Sequence, residues 1–185
     1  MMLLLFALPL SAQPQTIGRG TQPEQSIFGT EELPGEPRVK RPLPVPDAAS
    51  QILRTDDEVN SCLEHNQFAP DEDLRSSFIA SEIHLDGPDE ADLVVVPSFR
   101  GKEGMCFQSA TGIGLFWIFR KNGEQYHLVL RTCGGGLEIL RSRSNDYRDI
   151  QTGTLGQAGR YLTTVTFHFD GKRYRKYRER TEERH

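Results

Sequence analysis

Hydrophobic and polar positions alternate with a period of two through much of the chain after Phe78, the pattern of half-buried strands. It is strongest in Leu115–Leu130, where two alternating runs flank Asn122-Gly123. Asn and Gly reach positive φ most easily, so this dipeptide predicts a hairpin closed by a two-residue type I′ turn. That turn sets Phe119 opposite Tyr126, Trp117 opposite Leu128 and Leu115 opposite Leu130, giving one wholly apolar face. The other face carries Phe116, Ile118 and Val129 at the open end but Arg120, Gln125 and His127 near the turn, so it is only partly apolar. A one-residue slip would exchange the faces, and burial of the aromatic side guards against it.

Further strands are expected at Phe78–Leu85, at Leu93–Val96 before Pro97, at Leu137–Arg143 and at Tyr161–Phe169. The last is the cleanest alternation, with Tyr161, Thr163, Val165, Phe167 and Phe169 on one side and Leu162, Thr164, Thr166 and His168 on the other. Asp170-Gly171 predicts a return in which Phe167 faces Tyr174 and His168 faces Arg173. Tyr147-Arg148-Asp149 reads as a turn. Before the strands, Ile52, Leu53, Val59, Cys62 and Leu63 recur at helical spacing behind Asp47, which predicts one helix over 48–64 with Asp47 as its N-cap. Short connections leave no room for parallel crossovers. The expected fold class is mainly β (α+β), an antiparallel meander sheet with one N-terminal helix packed on it.

The ends read differently. Residues 1–12 have the composition of a signal peptide: an uncharged apolar run from Met1 to Leu10, shorter than the roughly 20 residues that span a bilayer, then Ser11-Ala12. Residues 13–46 are rich in Pro among Gln, Glu, Thr and Gly, a disordered linker by composition. The folded domain is expected over 47–178, with 179–185 a frayed charged tail. An exported chain, secreted or periplasmic and without a transmembrane segment, permits disulfides. Three cysteines leave one over; Cys106 and Cys133 bracket the central hairpin and form the candidate bridge, with Cys62 a small buried hydrophobe.

A formal charge of −4 conceals a division along the chain. Between Asp56 and Asp92 twelve acids face a single Arg75, whereas Lys172, Arg173, Arg175, Lys176, Arg178, Arg180 and Arg184 dominate after Gly171. Such blocks are ordinarily solvated faces, and a basic edge can also dock on an anionic surface.

Few motifs carry chemistry. The stretch His84-Leu85-Asp86-Gly87-Pro88-Asp89-Glu90-Ala91-Asp92-Leu93-Val94-Val95 resembles the acidic loop of FG-GAP or VCBS-type repeats. Asp86, Gly87, Asp92 and Leu93-Val94 match that pattern, while His84 and Pro88 stand where the family has oxygen ligands. The resemblance implies a strand-loop-strand and a Ca²⁺ site, here to be made from Asp86, Asp89, Glu90 and Asp92. No other cofactor is implied. Neither a nucleophile elbow, a phosphate loop nor a paired-cysteine metal spacing occurs, and the five histidines are scattered.

What remains is a surface. Arg120, Gln125 and His127 on one alternating row, and Thr164, Thr166 and His168 opposite Arg173 and Arg175 on another, make a polar, mildly basic candidate binding face if the helix covers the aromatic side. The expected function is therefore that of an exported, non-catalytic binding protein of the bacterial envelope, including the inhibitor or immunity type. Its partner would be a protein or envelope polymer and not nucleic acid. The alternatives are a secreted hydrolase with an unmarked carboxylate site and a degenerate Ca²⁺-binding, adhesin-like module.

Overall fold

The computed structural model describes residues 23–26 (backbone only), 39, 41–65, 74–87, 90–98 and 114–184. In chain order these form β1 (Pro23–Ser26), α1 (Asp47–Leu53), α2 (Asp57–His65), β2 (Phe78–Ile83), β3 (Asp92–Pro97), β4 (Gly114–Asn122), β5 (Gln125–Gly134), β6 (Gly136–Ser144), β7 (Tyr147–Gly156), β8 (Tyr161–Phe169) and β9 (Tyr174–Glu183). The strands make two antiparallel sheets instead of the one expected. The first is a meander of four, β2-β3-β4-β5, and the second has the order β1-β6-β7-β8-β9.

Side-chain alternation explains why two sheets are needed. In β3, Leu93 and Val95 join one buried cluster and Val94 and Val96 the other, so both faces of the first sheet are apolar. One face, with Phe78, Trp117 and Phe119, shares a cluster with Ala49, Leu53, Val59 and Cys62 of the helical segment. The opposite face, with Phe116, Ile118 and Leu130, shares a cluster with Ile139, Ile150, Phe167 and Phe169 of the second sheet. The hairpin's second face is thus not free. Each large apolar side chain left in water would forfeit about 2–3 kcal/mol, and two half-apolar sheets remove that cost by facing each other.

Registers differ from expectation in instructive ways. The β4–β5 turn is Gly123-Glu124, with Asn122 opposite Gln125 and Gly123 at φ +59, so Gly occupies the first central position as in a type II′ turn. Phe119 consequently faces Leu128 and not Tyr126. Between the turn and Phe119 the change is by two residues, so the faces there are preserved, whereas farther along Trp117 faces Arg131 and Leu115 faces Cys133 instead of the expected Leu128 and Leu130. Val129 is a bulge residue, since Ile118 pairs with Leu130 but Phe119 with Leu128, and beyond it Leu130 turns into the inter-sheet core. The turn with positive φ at both central residues is instead Asn145-Asp146, joining β6 to β7. Tyr147-Arg148-Asp149 therefore begins a strand.

At the last hairpin the Asp170 N–H donates to the Arg173 carbonyl over 2.9 Å, which makes a four-residue connection. Phe169 then faces Tyr174 and His168 faces Arg175, correcting the expected pairs. Nor do residues after Arg178 fray: β9 stays paired to β8 as far as Glu183 opposite Tyr161. Its charges suit an edge strand, whose exposed groups they keep soluble.

Two helices stand where one was expected. Thr55 donates its hydroxyl and N–H to the Ile52 carbonyl, ending α1, and Asp56 starts α2 by accepting the N–H groups of Glu58 at 3.0 Å and Val59 at 3.4 Å. The residue that caps is therefore Asp56. Asp47 carries no cap bond and pairs with Arg75 at 2.8 Å. The other Asp56 oxygen accepts the indole N–H of the fully buried Trp117 at 3.1 Å, which ties the helical segment to the centre of the first sheet.

Parts of the stretch read as linker are ordered: Pro23–Ser26 pairs with β6, Val39 and Val45 are buried, and Leu43 and Ala80 exchange backbone hydrogen bonds. The apolar run at residues 1–12 lies outside the described residues. Cys133, at an exposed position of β5, has a free thiol, so the Cys106–Cys133 bridge is not formed; Cys106 itself lies outside the described residues. Cys62, buried as expected, is disulfide-bonded rather than a plain apolar side chain. No helix among the described residues is long and apolar enough to cross a membrane.

Candidate functional site

The two sheets splay at the end where the β4–β5 and β8–β9 turns lie, leaving an open cleft of about 670 Å³ between them. Its walls are built from backbone turns. On one side, Arg120 and His127 are directly paired across the β4–β5 ladder. On the other, the β8–β9 connection carries Asp170, Lys172, Arg173 and, one residue into β9, Arg175. Among the described residues, four permanent cations and one imidazole thus line the cleft with a single carboxylate.

That carboxylate is already committed. Asp170 accepts the N–H groups of Lys172 at 2.9 Å and Arg173 at 2.8 Å and pairs with Arg175 at 3.0 Å. The two backbone donors, and then Arg175, stabilise its charged form and pull its pKa down to about 2. Arg120 lies with its guanidinium carbon 5.2 Å from the centre of the Tyr147 ring, and its Nε is buried without a hydrogen-bond partner. Lys172 and Arg173 are exposed, and among the described residues no ion pair engages either. The cleft can therefore hold an anion by several charge-assisted hydrogen bonds at once.

Behind Arg120 lies a second aspartate with the opposite character. Asp92 opens β3 and is 1% exposed. Its two oxygens accept the N–H of Leu85 at 3.1 Å and of Lys121 at 2.9 Å, clasping the end of the β2 segment to the end of β4. Burial pushes its pKa up to about 6 despite those two bonds; Asp86 adds to the rise and Arg120 opposes it. Burial likewise raises the Tyr174 hydroxyl, which donates to the Arg148 carbonyl at 2.7 Å.

Of the residues singled out in the sequence, Arg120, His127, Arg173 and Arg175 come together in the cleft. Gln125 is exposed opposite Asn122, outside the lining. Thr164, Thr166 and His168 are not part of it. With Phe167 and Phe169 turned into the core, they occupy the outer face of the second sheet, where Thr166 donates to the Gln151 side chain at 3.4 Å. His168 there stacks on Tyr177 and lies 3.6 Å from the buried Asp149. Ser144 donates to Asp149 at 2.7 Å, which puts the carboxylate between hydroxyl and imidazole and leaves no Ser–His contact for a nucleophile.

Among the described residues the acidic loop does not assemble a metal cage. Asp92 faces inward to backbone donors, Asp86 offers its carbonyl to Arg143 at 3.0 Å, and Glu90 is exposed with its carbonyl 3.4 Å from His84. Asp89 lies outside the described residues, and among the described residues no three His, Cys, Asp or Glu side chains are grouped to hold a metal ion. Among the described residues that line the cleft, Asp170 is the one carboxylate, where hydrolysis by acid and base would use two. Lys172 and Asp170 were not singled out from sequence; the available signal was the Asp-Gly turn itself, which places the following residues at a loop tip. Against known protein families, curated proteins and solved structures the chain has no match.

Proposed function

We propose that this protein is a non-catalytic binding module that engages an anionic partner through the cleft between its two hairpin ends, and that it works outside the cytoplasm of a bacterial cell. The observation that carries the reading is the gathering of Arg120, Lys172, Arg173 and Arg175 around one opening where the one carboxylate among the described residues, Asp170, is internally paired. The helical segment, in this reading, covers the aromatic face of the first sheet and takes no direct part in recognition. Export rests on the apolar run at residues 1–10, which has the length and composition of the h-region of a signal peptide.

The test is calorimetric titration of the full chain with polyglutamate and with linear polyphosphate at low and moderate salt. Binding is expected to weaken with salt, and the double charge reversal Lys172→Glu with Arg173→Glu is expected to weaken both at least tenfold. Neither polymer binding, or the double variant binding as well as the parent, refutes the anionic cleft. Lys172 and Arg173 are exposed loop residues, so the variant is expected to keep the parent's circular dichroism spectrum and melting temperature.

A further inference from the structure

The floor of the cleft is an open sheet edge, and the ladder determines which of its backbone groups face outward. β5 is the last strand of the first sheet, and Leu128 and Val129 line the cleft. In an antiparallel pair, opposed residues alternate between exchanging hydrogen bonds and turning both backbone groups away from each other. Lys121 stands opposite Tyr126, and its N–H goes to Asp92 on the far side. This pair is therefore one that turns away, and Tyr126 directs its N–H and C=O outward. Leu128, opposite Phe119 one period later, does the same. No backbone hydrogen bond joins Tyr126 or Leu128 to another described residue beyond the β4–β5 ladder.

An edge with two outward-facing residues offers an extended chain main-chain hydrogen bonds that a free ion cannot use in the same alternating pattern. We infer that the cleft takes an extended acidic peptide segment of a protein partner, added as a fifth strand along β5 with its carboxylates against Arg120, Lys172 and Arg173. This rests on the anionic reading of the cleft and narrows it. Alternation then sets the preferred sequence. Residues of the added strand on the face of Arg120 and His127 meet cations, whereas the residues between them lie on the face of Tyr126 and Leu128, whose side chains pack against the aromatic layer. The favoured segment alternates acidic with apolar positions.

The experiment titrates the full chain with acetylated, amidated Glu-Val-Glu-Val-Glu-Val, with its two isomers N-methylated at either the Glu or the Val positions, and with hexametaphosphate. Strand addition predicts that one isomer binds about tenfold more weakly than the parent peptide while the other is nearly unchanged, because only one set of amides bonds to β5. It further predicts amide-exchange protection at Tyr126 and Leu128 in the parent complex. Equal loss in both isomers, or loss in neither, overturns strand addition. If hexametaphosphate binds as tightly as the peptide in that case, the anionic cleft stands without it; if none of the probes binds, both readings fall.

Discussion

Asp92, buried behind one wall of the cleft, and Asp170, on the other wall, perform one task and come out electrostatically opposite. Each carboxylate accepts two backbone N–H groups and thereby fixes the end of a hairpin. Asp92 does so from another strand and in the dry interior; Asp170 does so within its own loop and in water. The backbone donors favour the charged form in both places, yet burial overrides them at Asp92, whose pKa rises to about 6, while at Asp170 the donors, reinforced by Arg175, outweigh a smaller desolvation and the pKa falls to about 2. Hydrogen-bond number alone therefore does not determine the protonation of a clasp. Desolvation decides it.

The largest effect expected from this contrast is on stability against pH. For Asp92 the folded state holds its proton more tightly than the unfolded chain, so its contribution is full below about 3.8 and is lost as pH rises through about 6. At about 1.4 kcal/mol per pH unit this amounts to about 3 kcal/mol between pH 6 and pH 4. Urea denaturation at closely spaced pH values should show wild-type stability rising on acidification through that window and Asp92→Asn lacking the rise. An Asp92→Asn curve parallel to wild type would remove the buried-charge explanation.

The turn backbones come next. Gly123 and Gly171 have φ of +59 and +96, so replacing either by Ala should cost about 1–2 kcal/mol, read as a lowered urea midpoint at constant slope. If Gly171→Ala were neutral, Asp170 would be bracing a loop that has no strain to hold.

The smallest effect belongs to Asp170 itself. Its contribution has the opposite sign, present above about pH 4 and lost as pH falls towards 2. Carboxyl chemical shifts should place its titration near 2 at low ionic strength, and 1 M salt should move it upward by screening the exposed Arg175 pair while leaving Asp92 nearly in place. A salt response of equal size at Asp92 would mean that water reaches both sites.

How much of this could be read from residues alone follows the same division between local and non-local causes. The helical stripe, the strands and the aromatic face of the central hairpin all follow from side-chain period, because Trp117 and Phe119 share a face in any register of the right parity. The second sheet was missed because β7 shows little alternation: Thr152 is buried, and Gly153 and Gly156 interrupt the row. Charge misled at the far end, where residues 179–185 looked too polar to be ordered although β9, an edge strand that needs no apolar face, runs on to Glu183. Half of the cleft was legible, since Arg120 with His127 and Arg173 with Arg175 are neighbours along the chain or across one hairpin. Their meeting was not, because it depends on how two sheets pack. The roles of Asp56 and Asp92 were hidden for the same reason: Trp117 and Lys121, which they bond, lie far away in sequence.

The passage from the first sheet to the second is made by one residue, Gly135, whose N–H donates to the Gly153 carbonyl at 2.7 Å. Beside it, a β-carbon on Gly134 would come within 3.1 Å of Thr152 and 3.2 Å of two carbonyl oxygens. The two sheets therefore meet backbone to backbone at this corner, and the cleft lies towards the other end of the same strand, like a book held at the spine. A side chain forced into the spine would make Thr152 and the two carbonyls give way by a few tenths of an ångström, so the strain falls on the one corner where the chain crosses between the covers.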